Sequence, residues 1–475
     1  MTELVGNSKL KEIVIVKYAV LVLILLAVGC NQPNDRVLSG VTVFRTKDCP
    51  VKNPFLKDSL PDRWRFVKLE TSDDCLIGQI QKVAVHKNFI VVQDDKRTLV
   101  FDSTGAFRNR IGQIGRGPQE QLSMGAFYVD GQGEFIGVYD ILRKKIFRYG
   151  FDGKLLEKVG YAEEMDFIKD MSLADDQNLV VLFTNAQDYP NEYGVFKAGN
   201  YAFRDYALPY RVTGATSCGV AQPSMAKNNG MFLMTSVLND TLYTWHDGRV
   251  DPLYVIQTGK QAFPQKAIDD GGPYDYYPEV VSKAQKKGYS SGIERVWLTE
   301  KFGCAEYHIY RGTGTYYLNN ELKEITFHAV NYLIWDLKTR RAIHYSPAGT
   351  WGSSLFYPGR KTFCTATENA LVSCIPAYEI AGIDRAKMDD DPIYSDPRIR
   401  EIVDSTEENE IRLSFIILWT VSDENGENRM FSFGDCRGVS GLAGMRERCG
   451  VRVSGDRNRY VDRLGEVPDQ PGYRV

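Results

Sequence analysis

Residues 82–112 read KVAVHKNFIVVQDDKRTLVFDSTGAFRNRIG, and the fold is decided here. Four short apolar runs, Val83 to Val85, Phe89 to Val92, Thr98 to Phe101 and Phe107 to Ile111, are each long enough for a strand and too short for a helix. Between them lie Lys87-Asn88, Asp94-Asp95-Lys96 and Asp102-Ser103-Thr104-Gly105. These are residues that close hairpins, with Gly105 able to take the positive φ of a tight turn. The stretch therefore predicts a four-stranded antiparallel meander.

The plan repeats at once in AFYVDGQGEFIGVYDILRKKIFRYGFDGKLLEKVG, residues 126–160, with runs at Ala126 to Val129, Phe135 to Tyr139, Lys145 to Tyr149 and Leu155 to Val159. Gly105 and Gly112 correspond to Gly153 and Gly160, each offset by 48, and Asp94 corresponds to Asp140, offset by 46. One four-stranded sheet cannot bury both of its faces alone. A unit of this size repeating along the chain therefore implies blades stacked side by side and closed into a ring.

Further units are more divergent. Asp166 to Tyr206 holds LVVLF and YAFRDYAL, and Met225 to Ile256 holds MFLMTSV, TLYTWH and DPLYVI. Glu324 to Tyr345 turns at Asp336-Leu337-Lys338-Thr339, and Trp351 to Ile375 alternates across LFYP, KTFCTAT and ALVSCI. The expected fold is an all-β propeller of four-stranded antiparallel blades over 46–421, with six blades counted and five or seven as the alternatives. Short helical insertions are expected at Gln261 to Gly292 and at Ala377 to Thr406, where Pro392 and Pro397 interrupt, and Ile411 to Val421 is read as a closing strand. The segment 422–475 is rich in Gly and Arg and lacks strand periodicity, so it is expected to be a disordered tail.

The first 29 residues are different in kind. Lys9, Lys11 and Lys17 precede an apolar run from Tyr18 to Val28 that ends at Gly29-Cys30. At roughly 1.5 Å per residue this run falls short of a bilayer core of about 30 Å, so it reads as a signal peptide and not a membrane span. Leu26-Ala27-Val28-Gly29-Cys30 resembles a bacterial lipobox, which implies lipid attachment at Cys30, and the polar stretch 30–45 is read as a tether. A formal charge of -3 supplies no basic field for nucleic acid, and none is expected as a partner. Beyond Cys30 the eight other cysteines are scattered without metal-ligand spacing, and most are read as unpaired thiols; only Cys364 and Cys374 are close enough to suggest facing strands.

The run Ile111-Gly-Gln-Ile-Gly-Arg-Gly-Pro-Gln-Glu120, followed by FYVD and GEFIGVYDILRKKIFRYGFDGKLL, resembles the NHL repeat. More narrowly, the chain is similar to six-bladed β-propeller lipoproteins of Bacteroidetes, most closely over Phe66 to Val159. Gln119 stands where that family commonly has Gly. The resemblance implies fold and an envelope location, with the outer membrane as the expected site. It implies little about activity, since such propellers include binding scaffolds and a few enzymes.

Candidate chemistry is sparse. Gly112, Gly115 and Gly117 follow a strand, but Pro118 and another strand come next, so no helix N-terminus is available for a phosphate. Arg116 and Glu120 in this inter-blade loop are the candidate ligand-binding residues, with a structural pair bracing the loop as the alternative. His86, His246, His308, His328 and His344 lie in separate units without metal spacing; His86, beside the Lys87-Asn88 turn, is read as a surface turn histidine, with a role in a channel as the alternative. No catalytic residue, metal or cofactor is assigned. The expected function is a membrane-anchored binding or assembly scaffold for a protein, peptide or glycan, with an NHL-like lyase or hydrolase holding a channel metal as the alternative.

Overall fold

The computed structural model describes residues 40–50, 65–184, 189–210, 222–228, 230–246, 248–264, 287–318, 321–346, 363–390, 392–406 and 414–420. The signal peptide, Cys30, most of the tether, the segment 422–475 and most of the insertion expected at 261–292 lie outside these residues.

Two short strands come first, β1 (Thr42–Arg45) and β2 (Arg65–Lys68). The first sheet of the ring is β3 (Lys82–His86), β4 (Phe89–Gln93), β5 (Thr98–Asp102) and β6 (Phe107–Ile111). The second is β7 (Phe127–Asp130), β8 (Phe135–Asp140), β9 (Lys145–Gly150) and β10 (Leu155–Gly160). These eight strands fall on the runs read from the sequence, joined by the turns expected of them. Gly105 and Gly153 take φ of +92° and +81°, at the turn before the last strand of each sheet.

The third sheet is β11 (Ile168–Leu173), β12 (Asn178–Phe183), β13 (Asn191–Lys197) and β14 (Phe203–Pro209). The fourth is built on β15 (Met225–Asn228), β16 (Met231–Met234), β17 (Thr241–His246) and β18 (Arg249–Gln257), and the fifth on β19 (Ser290–Leu298), β20 (Phe302–Leu318), β21 (Glu321–Asp336) and β22 (Ala342–Tyr345). The last sheet holds β23 (Phe363–Ala366), β24 (Ala370–Pro376) and β25 (Ser414–Thr420), with β2 as its outer strand. Successive innermost strands β3, β7, β11, β15, β19 and β23 touch one another, and β23 returns to β3, which closes the ring.

The middle strands explain why the ring forms. All six residues of β8 and of β12 are buried, whereas outer β6 and β10 are largely open. In β4 the alternation sorts side chains between neighbours. Ile90 and Val92 pack with Leu99, Phe101 and Val372 of the last sheet, while Val91 packs with Val100 and with Phe127, Ile136 and Phe147 of the second. Each such aliphatic contributes roughly 1.5–3 kcal/mol only if both faces are covered.

Three expectations are corrected. Four-stranded blades are not uniform: five sheets have four strands, and the fourth sheet has five because β1 adds in parallel to β18, pairing Phe44 with Ile256. β1 also lies within 30–45, so the stretch read as tether ends in a strand, where Phe44 is buried against Tyr254 and Trp335 at centroid distances of 5.8 and 5.6 Å. Glu324 to Tyr345, read as a unit of its own, is the second half of a sheet that starts at Ser290, since β20 and β21 form one long hairpin.

The strand read at Ile411 to Val421 contains β25, and β2 pairs with it antiparallel, so the N-terminal segment completes the last sheet. After β1, the Pro50 carbonyl accepts from the His344 N–H of the fifth sheet at 3.2 Å. The helical reading of 377–406 gives two short α-helices, α1 (Ala377–Ala381) and α2 (Pro397–Ser405), with 3-10 turns at Arg385–Asp390 and Pro392–Ser395 between them. Pro397 does not interrupt α2 but starts it, behind an Asp396 cap that accepts from the Arg398 N–H. Among the described residues no helix is long and apolar enough to cross a membrane.

Candidate functional site

The innermost strands enclose an axial cavity of about 600 Å³, of the size that small-ligand sites have (about 300–1,000 Å³), lined by residues of all six sheets. Lys82 opens β3 and reaches across two sheets. Its Nζ donates to the Phe127 carbonyl at 2.8 Å, to Asp170 Oδ1 at 2.7 Å and to the Met171 carbonyl at 3.0 Å. An ammonium has three protons, and all three are used. The same cation stands 5.1 Å from the Phe127 ring centroid.

Gln222, just ahead of β15, continues the chain of bonds. Its side-chain amide donates to the Lys169 carbonyl, and its own backbone carbonyl accepts from Arg295 Nε at 2.7 Å. Arg295 in turn pairs through Nη1 with Glu306, which is wholly buried. His308 Nε2 stands 2.9 Å from the same Glu306 oxygen, and the Tyr332 hydroxyl donates to the other at 2.9 Å. Burial alone would raise the Glu306 pKa, but the His308 bond, the Arg295 charge and the Tyr332 bond outweigh it and hold the carboxyl below its usual range. A continuous polar belt thus joins five of the sheets around the axis.

At the C-terminal ends of the inner strands the lining changes character. His86, Asp130, Gln132, Asp176 and Lys227 gather there, with Gln132, Asp176 and Lys227 exposed. The His86 ring lies over Gly131, where an added Cβ would come within 2.6 Å of its Cε1, and it stacks on Phe151 at 5.6 Å. Its Nε2 is buried without a hydrogen-bond partner among the described residues. Burial, and then the neighbouring Lys87 charge, lower the His86 pKa. The ring is consequently neutral at pH 7, able to accept or donate one bond.

Arg116 and Glu120 are not part of this cavity. Glu120 folds back over its own loop: Oε2 accepts from the Gly117 N–H at 2.6 Å and occupies the space where a Cβ on Gly115 would lie, 2.0 Å away. The loop is tied further by a bridge between Ile114 and Gln121 and by Arg143 Nη2, which donates to the Gly117 carbonyl at 3.0 Å. Glu120 therefore braces the loop, and Arg116 is exposed beside it. His308 and His344 share the fifth sheet, His344 Nε2 lying 2.8 Å from the Tyr307 hydroxyl, while among the described residues His86 is the histidine that lines the cavity. Among the described residues no three His, Cys, Asp or Glu side chains converge as a metal site.

Sequence reading missed Lys82, Asp170, Gln222, Arg295 and Glu306. The one local signal is a lysine opening an otherwise apolar strand. Its partner Asp170 lies 88 residues further on, so no local motif marks the pair.

The profile of a family described as a domain of unknown function (DUF4934) matches residues 43–411. No curated protein matches the chain. Among solved structures, a Bacteroides fragilis protein described as exported superposes with a TM-score of 0.58 at 16% identity, covering 80% of this chain and 99% of the other. A member of the DUF4221 family from Bacteroides vulgatus gives a TM-score of 0.47 at 8% identity, covering 75% of this chain and 96% of its own. At 16% identity the likeness to the Bacteroides fragilis protein is one of fold.

Proposed function

We propose, from the premise that this chain belongs to the DUF4934 family, that it is an envelope-anchored binding scaffold, lipidated at Cys30, with a propeller that presents the His86–Asp176–Lys227 mouth of its axial cavity to a protein, peptide or glycan. One observation carries this reading. The cavity's charged groups Lys82, Asp170 and Arg295 are engaged in bonds between sheets, and Arg295 is paired besides with Glu306 of its own sheet, so they hold the ring together and are not left to act on a substrate. The polar groups left open lie at the mouth, where they suit recognition. The fold shared with an exported Bacteroides protein supports an envelope setting.

The test displays the purified protein to peptide and glycan arrays beside the D176K/K227E pair at the mouth and the R116A/E120A pair on the inter-blade loop. A ligand whose binding falls at least tenfold with the mouth pair alone supports the reading. Loss confined to the loop pair moves the site to Arg116 and Glu120. For the anchor, incorporation of labelled palmitate that disappears in C30A is expected; unchanged incorporation removes the anchor from the proposal.

One observation favours an NHL-like enzyme instead: the unpartnered His86 Nε2 on the cavity wall. Elemental analysis decides, since a stoichiometric metal lost in H86A would establish that reading in place of the scaffold.

A further inference from the structure

The sheet that closes the ring holds two sulfurs side by side. Cys364 lies on β23 and Cys374 on β24, with Sγ atoms 3.3 Å apart. The ladder slips between Phe363, opposite Ser373, and Thr365, opposite Val372, so Cys364 sits at a bulge without a ladder partner of its own. Its thiol turns toward Cys374 and also lies 3.2 Å from the Val372 carbonyl. Both residues are half-buried against the cluster that includes Val67, Leu69, Ile77 and Val372, and Cys364 also lines the axial cavity.

The other described cysteines differ. Cys304 is wholly buried, Cys75 is buried with its sulfur 3.2 Å from both the Glu70 carbonyl and the Ser72 hydroxyl, and Cys49 donates to the Arg45 carbonyl at 3.3 Å. Among the described residues only Cys364 and Cys374 have a second thiol as neighbour.

We propose that Cys364 and Cys374 form a disulfide that fastens the β23–β24 hairpin, the sheet in which β2 and β25 bring distant parts of the chain together. Bond formation requires the sulfurs to close from 3.3 Å to about 2.05 Å, a distance that side-chain rotation on adjacent strands covers. The oxidant is a small-molecule or protein disulfide. One cysteine thiolate attacks it and forms a mixed disulfide with loss of one thiolate; the second cysteine then displaces the other half. Two electrons and two protons pass to the oxidant, which leaves as two thiols, and one S–S bond is gained by the protein. The geometry holds whatever the propeller binds and however the chain is anchored.

The experiment treats the folded full chain with oxidised glutathione, alkylates the remaining thiols, digests without reduction and maps peptides by mass spectrometry. The expected product is a linked pair containing Cys364 and Cys374, lighter by two hydrogen atoms than the reduced pair. An upward shift of the thermal midpoint by several degrees, reversed by dithiothreitol and absent in C364A/C374A, is expected with it. Recovery of both residues in alkylated form, or in linkage to another cysteine, overturns the proposal. Should the double variant fail to fold, the peptide map of the unaltered chain decides alone.

Discussion

Asp94 and Asp140 make the same bonds in neighbouring sheets. Oδ1 of each accepts from the backbone N–H groups two and three residues on, Lys96 and Arg97 in one case and Leu142 and Arg143 in the other. Oδ2 of each reaches back to the segment that enters the sheet, to the Gly78 N–H and to the Leu122 N–H, at 2.8 and 2.7 Å. One carboxylate at the end of the second strand therefore closes a turn and clamps the incoming chain. Replacing either leaves three or more donors without a partner, so D94A and D140A are each expected to cost about 2–4 kcal/mol, measured by the urea midpoint. A cost under about 0.5 kcal/mol would show that the clamp is incidental.

The Lys82–Asp170 pair should behave as a coupled unit. Asp170 is almost fully buried, so D170A strands the ammonium and is expected to cost about 3–4 kcal/mol. The double variant K82M/D170L should cost less than the sum of the singles by at least 1 kcal/mol or so. Simple additivity in the double-mutant cycle would contradict the belt.

Phe44 tests the added strand. It is buried between Tyr254 and Trp335, and F44A is expected to cost about 3–4 kcal/mol. V43A, at a position with 41% exposure on the same strand, should stay within about 0.5 kcal/mol. Equal effects in thermal unfolding would mean that β1 does not pack as described.

Glu306 sets a pH dependence of definite sign. Its folded-state pKa lies below the unfolded value of about 4.3. The stability it supplies is therefore complete above that pH and is lost as the pH falls through the lower folded value. As the pH falls below that unfolded value of about 4.3, unfolding midpoints should fall more steeply for the unaltered chain than for E306Q. Parallel curves would remove Glu306 as the source.

Loop bracing by Glu120 predicts a split between two residues of one loop. E120A loses the bond to the Gly117 N–H and is expected to cost about 1 kcal/mol. R116A, at an exposed side chain, should be neutral within about 0.5 kcal/mol. A destabilising R116A would assign that guanidinium a structural contact.

The sequence by itself determined the blade. The apolar run at Phe89 to Val92, the turn at Asp102 to Gly105 and the recurrence of both near 140 and 153 are local, because strand, hairpin and register follow from neighbours within a few residues. Only the tertiary structure decided how the ring is closed and what its axis contains. β1 and β2 carry too few apolar residues to announce themselves, and each becomes a strand because an edge, β18 or β25, is there to receive it. Ser290 to Leu318 hid its strands in a run of small and aromatic residues, whose pairing is set by the hairpin with β21. The belt of Lys82, Asp170, Gln222, Arg295 and Glu306 was invisible for the same reason. Glu306 faces Arg295 across the β19–β20 hairpin, but Lys82 meets Asp170, and Arg295 meets the Gln222 carbonyl, each at 2.7 Å, only once the ring is closed, and that closure belongs to the stacking of sheets and to no segment of the chain.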